Sequence, residues 1–390
     1  MFDIIDIFSK LKKIRRAFGR YILPLLVFSL AFVCFITCYT PPPITYGPVT
    51  IVSPYSGVNW ATYGQYKTSL HMHSTNSDGE FPLSEMLEDH YKKGFDIVAA
   101  TDHNFLTVDW VSVNNGLTQA RFDEISSGEG RSGRGMLQIP YTDEQSQDED
   151  VNTYLTNFNN SPSTSFEECL KQVDKLGGLS QLNHLGQYTG GSKGGLMGEA
   201  ASNNEKTIKK YVDLFMKYRS CVGMEIRNAF DDRSQSDRIL WDNILARTIP
   251  QNRYVWGFSN DDTHDKYGTG WGYNVFVMPE NNLENFRSTM MNGNFYAVSK
   301  VAKRELGSSF SAKGELPSIL SIETDPATGI ITINAKNFTK IDWISGNKTL
   351  ASGKTINLNE HKSLIKSYVR ANIIGPGGIA FTQPFGVNFE

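Results

Sequence analysis

The 390-residue chain has few histidines and few cysteines, and its charges nearly cancel. A formal net charge of −3 excludes a general basic surface for nucleic acid, so an anionic substrate must be bound by local groups. The four cysteines lack CxxC spacing and do not indicate a disulfide framework. We interpret Cys169 and Cys221 as buried small residues, with a mutual disulfide as the alternative. No G-x-S-x-G elbow stands directly at the end of a predicted strand, so the sequence does not indicate a serine nucleophile.

One long uncharged apolar run is present, over residues 21–39. A run of about 20 residues is long enough to span a bilayer. The residues before it carry six basic side chains, namely Lys10, Lys12, Lys13, Arg15, Arg16 and Arg20. By the positive-inside rule we expect a basic cytoplasmic tail over 1–20 and a membrane anchor over 21–39, with the rest outside the cytoplasm on the periplasmic or cell-surface side. A cleaved signal peptide and a lipidated Cys38 are the alternatives. Residues 40–59 are rich in Pro and Gly and predict an extended tether.

Between residues 60 and 305, short apolar runs alternate with helical patterns. The strand-like runs are "YKTSLHMH", "FDIVAATDHN", "LSQLNHLG", "CVGMEIRN" and "RYVWGFSNDDTH", and helical segments such as "PLSEMLEDHYKKG" and "DRILWDNILART" stand between them. This alternation predicts an α/β fold with parallel strands, either a sheet or a barrel. From 316 to 390, short β-type runs with Gly and Asn turns predict a small all-β domain.

Five of the seven histidines lie near the ends of predicted strands, close to carboxylates. Residues two apart in a strand share a face, so His71 and His73 present two imidazoles at chelating distance. Asp78 follows in a Ser-Asp-Gly turn. The carboxyl ends of parallel strands, where α/β enzymes carry functional side chains, also hold His103, His184, Asp262 and His264. Imidazole and carboxylate ligands without thiolate suit zinc, manganese or iron.

Residues next to these motifs are candidates for supporting roles. Asp102 and Asn183 adjoin candidate ligands, and we expect them either to fix an imidazole tautomer by hydrogen bonding or to cap a strand end. Glu225 and Arg227 end another predicted strand, with Arg227 as a possible phosphate contact. A surface salt bridge to Asp231 or Asp232 is the alternative for this pair.

The remaining histidines and two tryptophans near the last motif carry weaker signals. His90 and His361 are interpreted as structural or exposed. Trp256 and Trp271 flank the last motif, where core packing competes with stacking on a sugar or a base.

The motifs "LHMHSTNSDGE", "GFDIVAATDHN", "NHLG" and "NDDTH", in this order, resemble those of the PHP phosphoesterases, named for polymerase and histidinol phosphatase. The resemblance covers residues 60–305 and implies a distorted seven-stranded β/α barrel with two or three divalent metal ions (Zn, Mn or Fe) at its mouth. The ligands it implies are His71, His73, Asp78, His103, His184, Asp262 and His264.

The resemblance also implies a bridging glutamate between the second and third motifs. Glu144 in "GMLQIPYTDEQSQDEDVN" fits best, and Glu129 is the competitor. The match departs from the family pattern at Tyr141 and Thr142, where its glycine is missing. The histidine that often follows the glutamate is missing too, and the stretch offers Asp148, Glu149 and Asp150 instead. Either an aspartate replaces the imidazole or the site is dinuclear.

The implied reaction is hydrolysis of a phosphate mono- or diester with metal-bound hydroxide as the nucleophile. The expected partners are a phosphorylated small molecule or phosphodiester substrate and, through the N-terminal segment, a membrane, with no nucleic-acid surface. One alternative is an amidohydrolase-like metal hydrolase acting on a non-phosphate bond, and another is an inactive metal- or glycan-binding surface module. The D-x-H ending formed by Asp262 and His264 favours the PHP interpretation over the amidohydrolase one.

Overall fold

The computed structural model describes residues 4–22, 49–146, 148–159, 164–190 and 198–389. The chain divides into two compact units, Met1–Tyr46 and Gly47–Glu390. In the first unit the predicted basic tail forms helix α1, Ile4–Ala17, followed by a π-helical turn, Phe18–Ile22. Among the described residues, no helix is both long enough and apolar enough to cross a membrane. Residues 23–39 of the predicted anchor lie outside the described part of the chain.

The second unit contains helices that the sequence predicts, such as those in "PLSEMLEDHYKKG" and "DRILWDNILART", and others that it does not. They are α2 (Leu83–Lys92), α3 (Gln119–Ser127), α4 (Phe166–Leu176), α5 (Leu185–Gly190), α6 (Gly198–Ser202), α7 (Glu205–Lys217), α8 (Asp237–Thr248), α9 (Leu283–Asn292) and α10 (Lys303–Leu306). Helix α4 shows why these boundaries are readable from sequence. The Ser165 side chain accepts a hydrogen bond from Glu168 N at its start, and Gly177 ends it in the left-handed conformation.

The strands of the second unit fall into three sheets. In chain order they are β1 (Val49–Val52), β2 (Gly64–Ser69), β3 (Ile97–Val98), β4 (Leu137–Gln138), β5 (Asp143–Ser146), β6 (Asp150–Tyr154), β7 (Leu179–Leu182), β8 (Cys221–Asn228), β9 (Trp256–Asn260), β10 (Gly272–Met278), β11 (Phe295–Ser299), β12 (Ser318–Asp325), β13 (Ile330–Lys336), β14 (Lys340–Ser345), β15 (Lys348–Ser352), β16 (Thr355–Asn357), β17 (Tyr368–Gly375), β18 (Gly378–Phe381) and β19 (Phe385–Phe389).

Two of these sheets carry the candidate ligands. In one, β2, β3 and β4 run parallel, and in the other β7, β8 and β9 run parallel. Isolated bridges connect the two sheets, one between Met72 and Thr263, beyond the ends of β2 and β9, and one between His103, beyond the end of β3, and Glu144 of β5. The carboxyl ends of the parallel strands therefore meet at one edge.

Four strands depart from the predicted parallel arrangement. Strands β5 and β6 form an antiparallel pair, and β6 is antiparallel to β7. Strands β10 and β11 are antiparallel to each other, and β10 also lies antiparallel to β2. Only β5 and β6 are joined by a short turn, whereas α4 lies between β6 and β7 and α9 lies between β10 and β11.

The C-terminal region is rich in sheet, and the prediction of a mixed α/β chain that ends in such a region is confirmed. Its strands are continuous with the preceding sheet, since β18 pairs with β11 and β17 pairs with β18. Strands β12, β13 and β16 form a separate three-stranded sheet. Side chains of this region, such as Trp343 and Phe385, share one apolar core with Val277 and Val298 of β10 and β11.

The described part of the predicted tether, residues 49–59, is packed within the second unit and is therefore not the extended tether that we expected. Strand β1 pairs with β19, and Val49 is buried. Tyr55 is also buried, and its hydroxyl donates to the Phe295 carbonyl oxygen at 2.9 Å. Residues 40–59 are rich in Pro and Gly, but Val49 and Ile51 supply the apolar alternation of a strand. The compact unit thus begins at Gly47 and not near Trp60.

Cys169 and Cys221 are free and buried, as the sequence predicts. The alternative of a mutual disulfide is therefore wrong.

Candidate metal centre

The edge where the parallel strands end gathers all eight predicted ligands. Four overlapping groups of side chains each bring one ligand atom per residue within 4.8 Å of the others. The groups are His73, Asp78, His103 and His264; His71, His73 and Glu144; His71, His184 and Asp262; and His103, Glu144 and Asp150. We refer to these nine residues as the ligand cluster.

His71 and His73 lie just beyond the end of β2, and both rings are buried. Their Nε2 atoms are 3.1 Å apart, and each lies 3.1–3.2 Å from Oδ1 of Asp262. The Glu144 carboxylate is equally close, at 3.1 Å from His71 Nε2 and 3.3 Å from His73 Nε2. Atoms that each bind one ion at about 2.1 Å are expected about 3.0–3.4 Å from one another, so these spacings fit a shared ion.

Glu144 and His103 also place two potential ligand atoms close together, and no hydrogen bond joins these atoms. His103 Nδ1 lies 2.9 Å from Glu144 Oε2, yet within the described residues neither atom has a hydrogen-bond partner. Both atoms are buried, and a buried polar atom without a partner is rare. A buried imidazole nitrogen and a carboxylate oxygen that lie this close without a hydrogen bond are what two ligands of one cation present. The donor set therefore fits a divalent ion.

The outer side of the cluster is more open to solvent. Asp78 Oδ2 lies 3.3 Å from His264 Nε2 and 3.6 Å from His103 Nε2. His264 Nδ1 donates to the Asp262 main-chain carbonyl oxygen at 3.0 Å, which leaves Nε2 directed toward Asp78. The His264 side chain is 40% exposed, so substrate and water have access here.

Asp150 lies where the histidine that is missing after Glu144 was expected. It lies at the start of β6 and is grouped with His103 and Glu144. His184 Nε2 is 3.7 Å from Asp150 Oδ2 and 3.7 Å from Glu144 Oε1. Of the two interpretations of the missing histidine, the geometry favours an aspartate that takes its position.

The stretch around Glu144 also explains the missing glycine. Tyr141 has φ of 53°, the left-handed conformation that glycine adopts without strain. The backbone turn is thus kept although the side chain is not glycine. The competitor Glu129 is exposed in the Gly-rich loop after α3 and is not part of the ligand cluster.

Negative charge dominates the electrostatics of the cluster. Burial alone would lower the pKa of His71, but the carboxylates of Asp262, Glu144 and Glu225 outweigh it and hold the pKa well above its usual value. The same competition between burial and neighbouring carboxylates, with Glu144 foremost, raises the pKa values of His103 and His184 to about 9. Such an excess of buried carboxylate is what bound cations would neutralise.

Glu225 is the central supporting residue, and its carboxylate is fully buried. Oε1 accepts from His71 Nδ1 at 2.8 Å and from Asn260 Nδ2 at 2.8 Å. Oε2 accepts from the His184 main-chain N–H at 2.9 Å and from Asn228 Nδ2 at 2.8 Å. With its Nδ1 proton donated to Glu225, His71 keeps its Nε2 lone pair for an ion. The sequence indicated Glu225 at the mouth but not this role.

Asn183 supports the cluster by a different contact from the predicted one. Its Nδ2 donates to Glu144 Oε1 at 2.6 Å, so it orients a carboxylate and not an imidazole. Its Oδ1 accepts from Gln181 Nε2 at 3.1 Å.

For Asp102 the expectation of a hydrogen bond to an imidazole is corrected. Its carboxylate accepts from Ser74 N at 2.6 Å, from Ser74 Oγ at 2.8 Å and from Ser77 Oγ at 2.9 Å. Neighbouring residues of an extended segment point to opposite faces, so Asp102 points away from the His103 ring. It fixes the turn that carries Asp78.

The predicted phosphate contact Arg227 is also corrected. Its side chain is fully buried, and Nη1 donates to Asp261 Oδ1 and to the Asn260 carbonyl oxygen, each at 2.8 Å. The alternative salt bridge is not formed either, since Asp231 binds both terminal nitrogens of Arg238.

The residues with weaker signals separate into buried and half-exposed positions. His90 is buried, and its Nδ1 donates to the Met86 carbonyl oxygen at 2.8 Å. His361 lies in a 3-10 turn of the C-terminal region. Trp256 is buried in the core, whereas Trp271 is half-exposed. Neither histidine belongs to the ligand cluster.

Comparisons with known proteins give partial matches. No protein-family model matches the chain. Over 84 residues, 22% of this chain, the sequence is 38% identical to the DNA polymerase/3'-5' exonuclease PolX of Bacillus subtilis, and the match spans 14% of that protein. A Bacteroides vulgatus structure described as a "two-domain protein containing predicted PHP-like metal-dependent phosphoesterase" aligns with a TM-score of 0.44 and 14% identity, over 90% of this chain and 92% of that one. The lesion-specific endonuclease PfuEndoQ of Pyrococcus furiosus aligns with a TM-score of 0.36 and 15% identity, over 58% of this chain and 56% of that one. PHP-like metal-dependent phosphoesterases are thus among the proteins that this chain is similar to, as its motifs predict.

Proposed function

We propose that this chain is a metal-dependent phosphoesterase that hydrolyses a phosphate mono- or diester. One observation carries the proposal: the Glu144 carboxylate lies 2.9–3.7 Å from ring nitrogens of His71, His73, His103 and His184. A single buried carboxylate among four imidazoles matches a ligand shared by neighbouring ions. Two such ions would hold the phosphate oxygens and lower the pKa of bound water toward neutrality.

The residues that would hold the ions follow from the overlapping groups. His71 would hold one ion together with His73 and Glu144 and with His184 and Asp262, and His103, Glu144 and Asp150 would hold a second. Asp78 and His264 contribute to the open side, where a third ion or the substrate phosphate would be bound. Zinc, manganese and iron all suit this mixture of nitrogen and oxygen donors.

The protein's own contribution is to keep the ligands in one protonation state and one orientation. Glu225 holds the proton on Nδ1 of His71, and Asn183 directs Glu144 Oε1. Asp102 keeps the Ser74–Ser77 turn closed, so Asp78 stays at the mouth. Such preorganisation removes the need to reorder ligands during the reaction.

The architecture we propose for this chemistry is a distorted seven-stranded barrel. Strands β2, β3, β5, β6, β7, β8 and β9 supply the seven strands, and the isolated bridges at Met72–Thr263 and His103–Glu144 support closure of the ring. We also propose an anchor at residues 21–39 with the catalytic unit outside the cytoplasm, which is supported only by the uncharged run and the basic residues before it.

The test is hydrolysis by the full chain after treatment with a chelator. Turnover of p-nitrophenyl phosphate and bis-p-nitrophenyl phosphate is measured before and after addition of Zn²⁺, Mn²⁺ or Fe²⁺, for wild type, His73→Ala and Glu144→Gln. His361→Gln, outside the cluster, is the matched control. We expect turnover to vanish with the metal, to return when it is added back, and to fall to background in both cluster variants only.

Three results would count against this proposal. Turnover that is unaffected by the chelator would contradict metal dependence. Metal binding without turnover of either ester would favour an inactive binding module. Turnover of an amide or lactone but of neither ester would favour the amidohydrolase-like alternative.

A further inference from the structure

Three aromatic side chains meet beside the ligand cluster, and none of them contributes to it. Phe230 lies 5.3 Å from Trp271 in an edge-to-face arrangement and 6.0 Å from Tyr267, measured between ring centroids. Tyr267 and Trp271 are 6.0 Å apart. We call these three residues the aromatic platform. Tyr267 is 71% exposed and the other two are half-exposed, so these three rings are not part of the hydrophobic core.

The chain places the platform at the same edge as the cluster. One loop joins β9 to β10; it begins with Asp262 and His264 of the cluster and continues through Tyr267 to Trp271. Phe230 follows the carboxyl end of β8, two residues after Asn228, whose Nδ2 donates to Asp262 Oδ2 at 3.3 Å. The platform and the ligand cluster therefore share the β9–β10 loop, and the hydrogen bond from Asn228 connects the end of β8, next to Phe230, with Asp262.

A buried aspartate holds each of these loops in place. Asp261 accepts hydrogen bonds from the main-chain N–H groups of Gly270, Trp271 and Gly272 at 2.5–3.2 Å, and it pairs with Arg227. This network closes the loop so that Trp271 Nε1 reaches the Tyr267 carbonyl oxygen at 3.0 Å.

The Phe230 loop is held under local strain. Ala229 and Asp231, on either side of Phe230, have φ of 45° and 61°, conformations that non-glycine residues rarely adopt. Asp231 is fixed there by Arg238 and by the main-chain N–H of Lys303 at 2.6 Å. Strain of this kind persists where the surroundings enforce it, and it concentrates at functional sites.

We propose that the platform binds a flat heteroaromatic ring on the alcohol part of the substrate, so that the ester hydrolysed at the cluster is nucleotide-like. This inference rests on the proposed function. Stacking on exposed aromatic rings suits any base, because every base presents a π-face. Lys300 Nζ, 5.9 Å from the Trp271 ring centroid, adds one positive charge near the platform. With a net charge of −3, the chain offers no basic track for a long polynucleotide, so the ligand is a single nucleotide or a short ester.

The test uses two pairs of esters that differ only in the ring. Adenosine 5′-monophosphate is compared with ribose 5-phosphate, and thymidine 5′-monophosphate p-nitrophenyl ester is compared with the p-nitrophenyl ester of 2-deoxyribose 5-phosphate, which lacks the base. For wild type we expect kcat/KM to be about tenfold or more higher for the ring-bearing ester that the enzyme accepts. Tyr267→Ala should reduce this preference by raising KM for the ring-bearing ester more than KM for the ring-free ester, whereas Tyr267→Phe should retain it. Leu364→Ala truncates an exposed apolar residue outside the platform and serves as the control.

A binding measurement separates failure of the platform from failure of the proposed function. Calorimetry with adenosine 5′-monophosphate and ribose 5-phosphate needs no turnover, and we expect tighter binding of the former in wild type but not in Tyr267→Ala. Equal binding of both ligands by wild type would overturn the proposal, even if p-nitrophenyl phosphate is hydrolysed. Equal losses for ring-bearing and ring-free ligands in Tyr267→Ala would also overturn it, since they would show a structural role. If no ester is hydrolysed but the ring-dependent binding holds, the platform stands and the proposed reaction fails.

Discussion

Replacement of Glu225 by glutamine tests whether the buried carboxylate behind His71 tunes the metal centre. The wild-type carboxylate accepts four hydrogen bonds, two on each oxygen, from His71, Asn260, His184 and Asn228. A glutamine amide can accept on one side only, so its NH₂ group must face two donors. Either His71 Nδ1–H or the His184 main-chain N–H then loses its acceptor.

The expected loss can be estimated from this contact. Groups that orient a metal ligand typically contribute 10- to 100-fold to metal affinity, which corresponds to about 1.4–2.7 kcal/mol. In the metal-free protein, Glu225→Gln should lower the free energy of unfolding by less than the loss of a buried hydrogen bond usually does. A buried donor that loses its acceptor destabilises the fold by about 1–3 kcal/mol. Removal of the negative charge of Glu225 relieves its repulsion with Glu144 and Asp262, and this offsets part of that destabilisation.

The assay is calorimetric titration of Zn²⁺ or Mn²⁺ into chelator-treated Glu225→Gln, with urea unfolding of the metal-free protein in parallel. Glu305→Gln is the matched control, because Glu305 is a largely buried carboxylate that pairs with Arg238 outside the cluster. Wild-type affinity in Glu225→Gln would refute the reasoning. Equal loss of affinity in both variants would show that the effect is transmitted by the fold in general.

Three further predictions concern the residues around the site and one buried histidine. Asp102→Ala should lower the free energy of unfolding by about 1–3 kcal/mol, since Ser74 and Ser77 lose their acceptor, and should reduce the number of ions bound, counted by elemental analysis. Tyr141→Gly should be about 1 kcal/mol more stable in urea unfolding than Tyr141→Ala, because only glycine adopts the left-handed φ of 53° without strain. Burial lowers the pKa of His90 from 6.5 to about 4, so between these values the unfolded chain binds a proton that the native chain does not. Stability therefore falls with falling pH, and His90→Gln should gain about 1 kcal/mol relative to wild type between pH 7.5 and pH 5.5.

Each of these predictions has an outcome that contradicts it. Unchanged metal content in Asp102→Ala would mean that the Asp78 turn is held by other contacts. Equal stability of the two Tyr141 variants would remove the explanation of the missing glycine. A stability difference between His90→Gln and wild type that stays constant with pH would show that His90 titrates normally in the folded chain.

Much of the candidate site follows from the spacing of histidines and carboxylates. His71 and His73 share a face because they are two residues apart, and the structure brings both to Glu144 and Asp262. Strand ends could be located from apolar runs, and parallel strands bring their ends to one edge. The edge at which the strand ends meet could therefore be predicted from the sequence.

The supporting contacts could not be predicted in the same way. Sequence adjacency suggested that Asp102 contacts an imidazole, but alternation turns its side chain toward Ser74. Glu225 is 154 residues from His71 in sequence, and no local pattern pairs them. The sequence offered three consecutive acidic residues, Asp148, Glu149 and Asp150, in place of the missing histidine. Only the position of β6 distinguishes Asp150 from the other two.

The fold was predictable where helices and parallel strands alternate and less so elsewhere. The run "GYNVFVM" of β10 and the run "FYAVS" of β11 lie antiparallel beside β2, which the alternating pattern did not indicate. Strand β1 was hidden by the Pro- and Gly-rich composition around Val49. In both places the pairing partner is distant in sequence, so the hydrogen bonds that define the strand leave no local signal.

The most direct test of the metal centre is anomalous diffraction from crystals of the full chain grown with Mn²⁺ or Zn²⁺. We expect at least two anomalous peaks, one about 2.0–2.3 Å from Nε2 of both His71 and His73 and the other near His103. The Glu144 carboxylate should contact the ions at both peaks. Crystals of Glu144→Gln should lose at least one peak. A cluster without anomalous density at millimolar metal, in protein that still hydrolyses phosphoesters, would contradict the central claim.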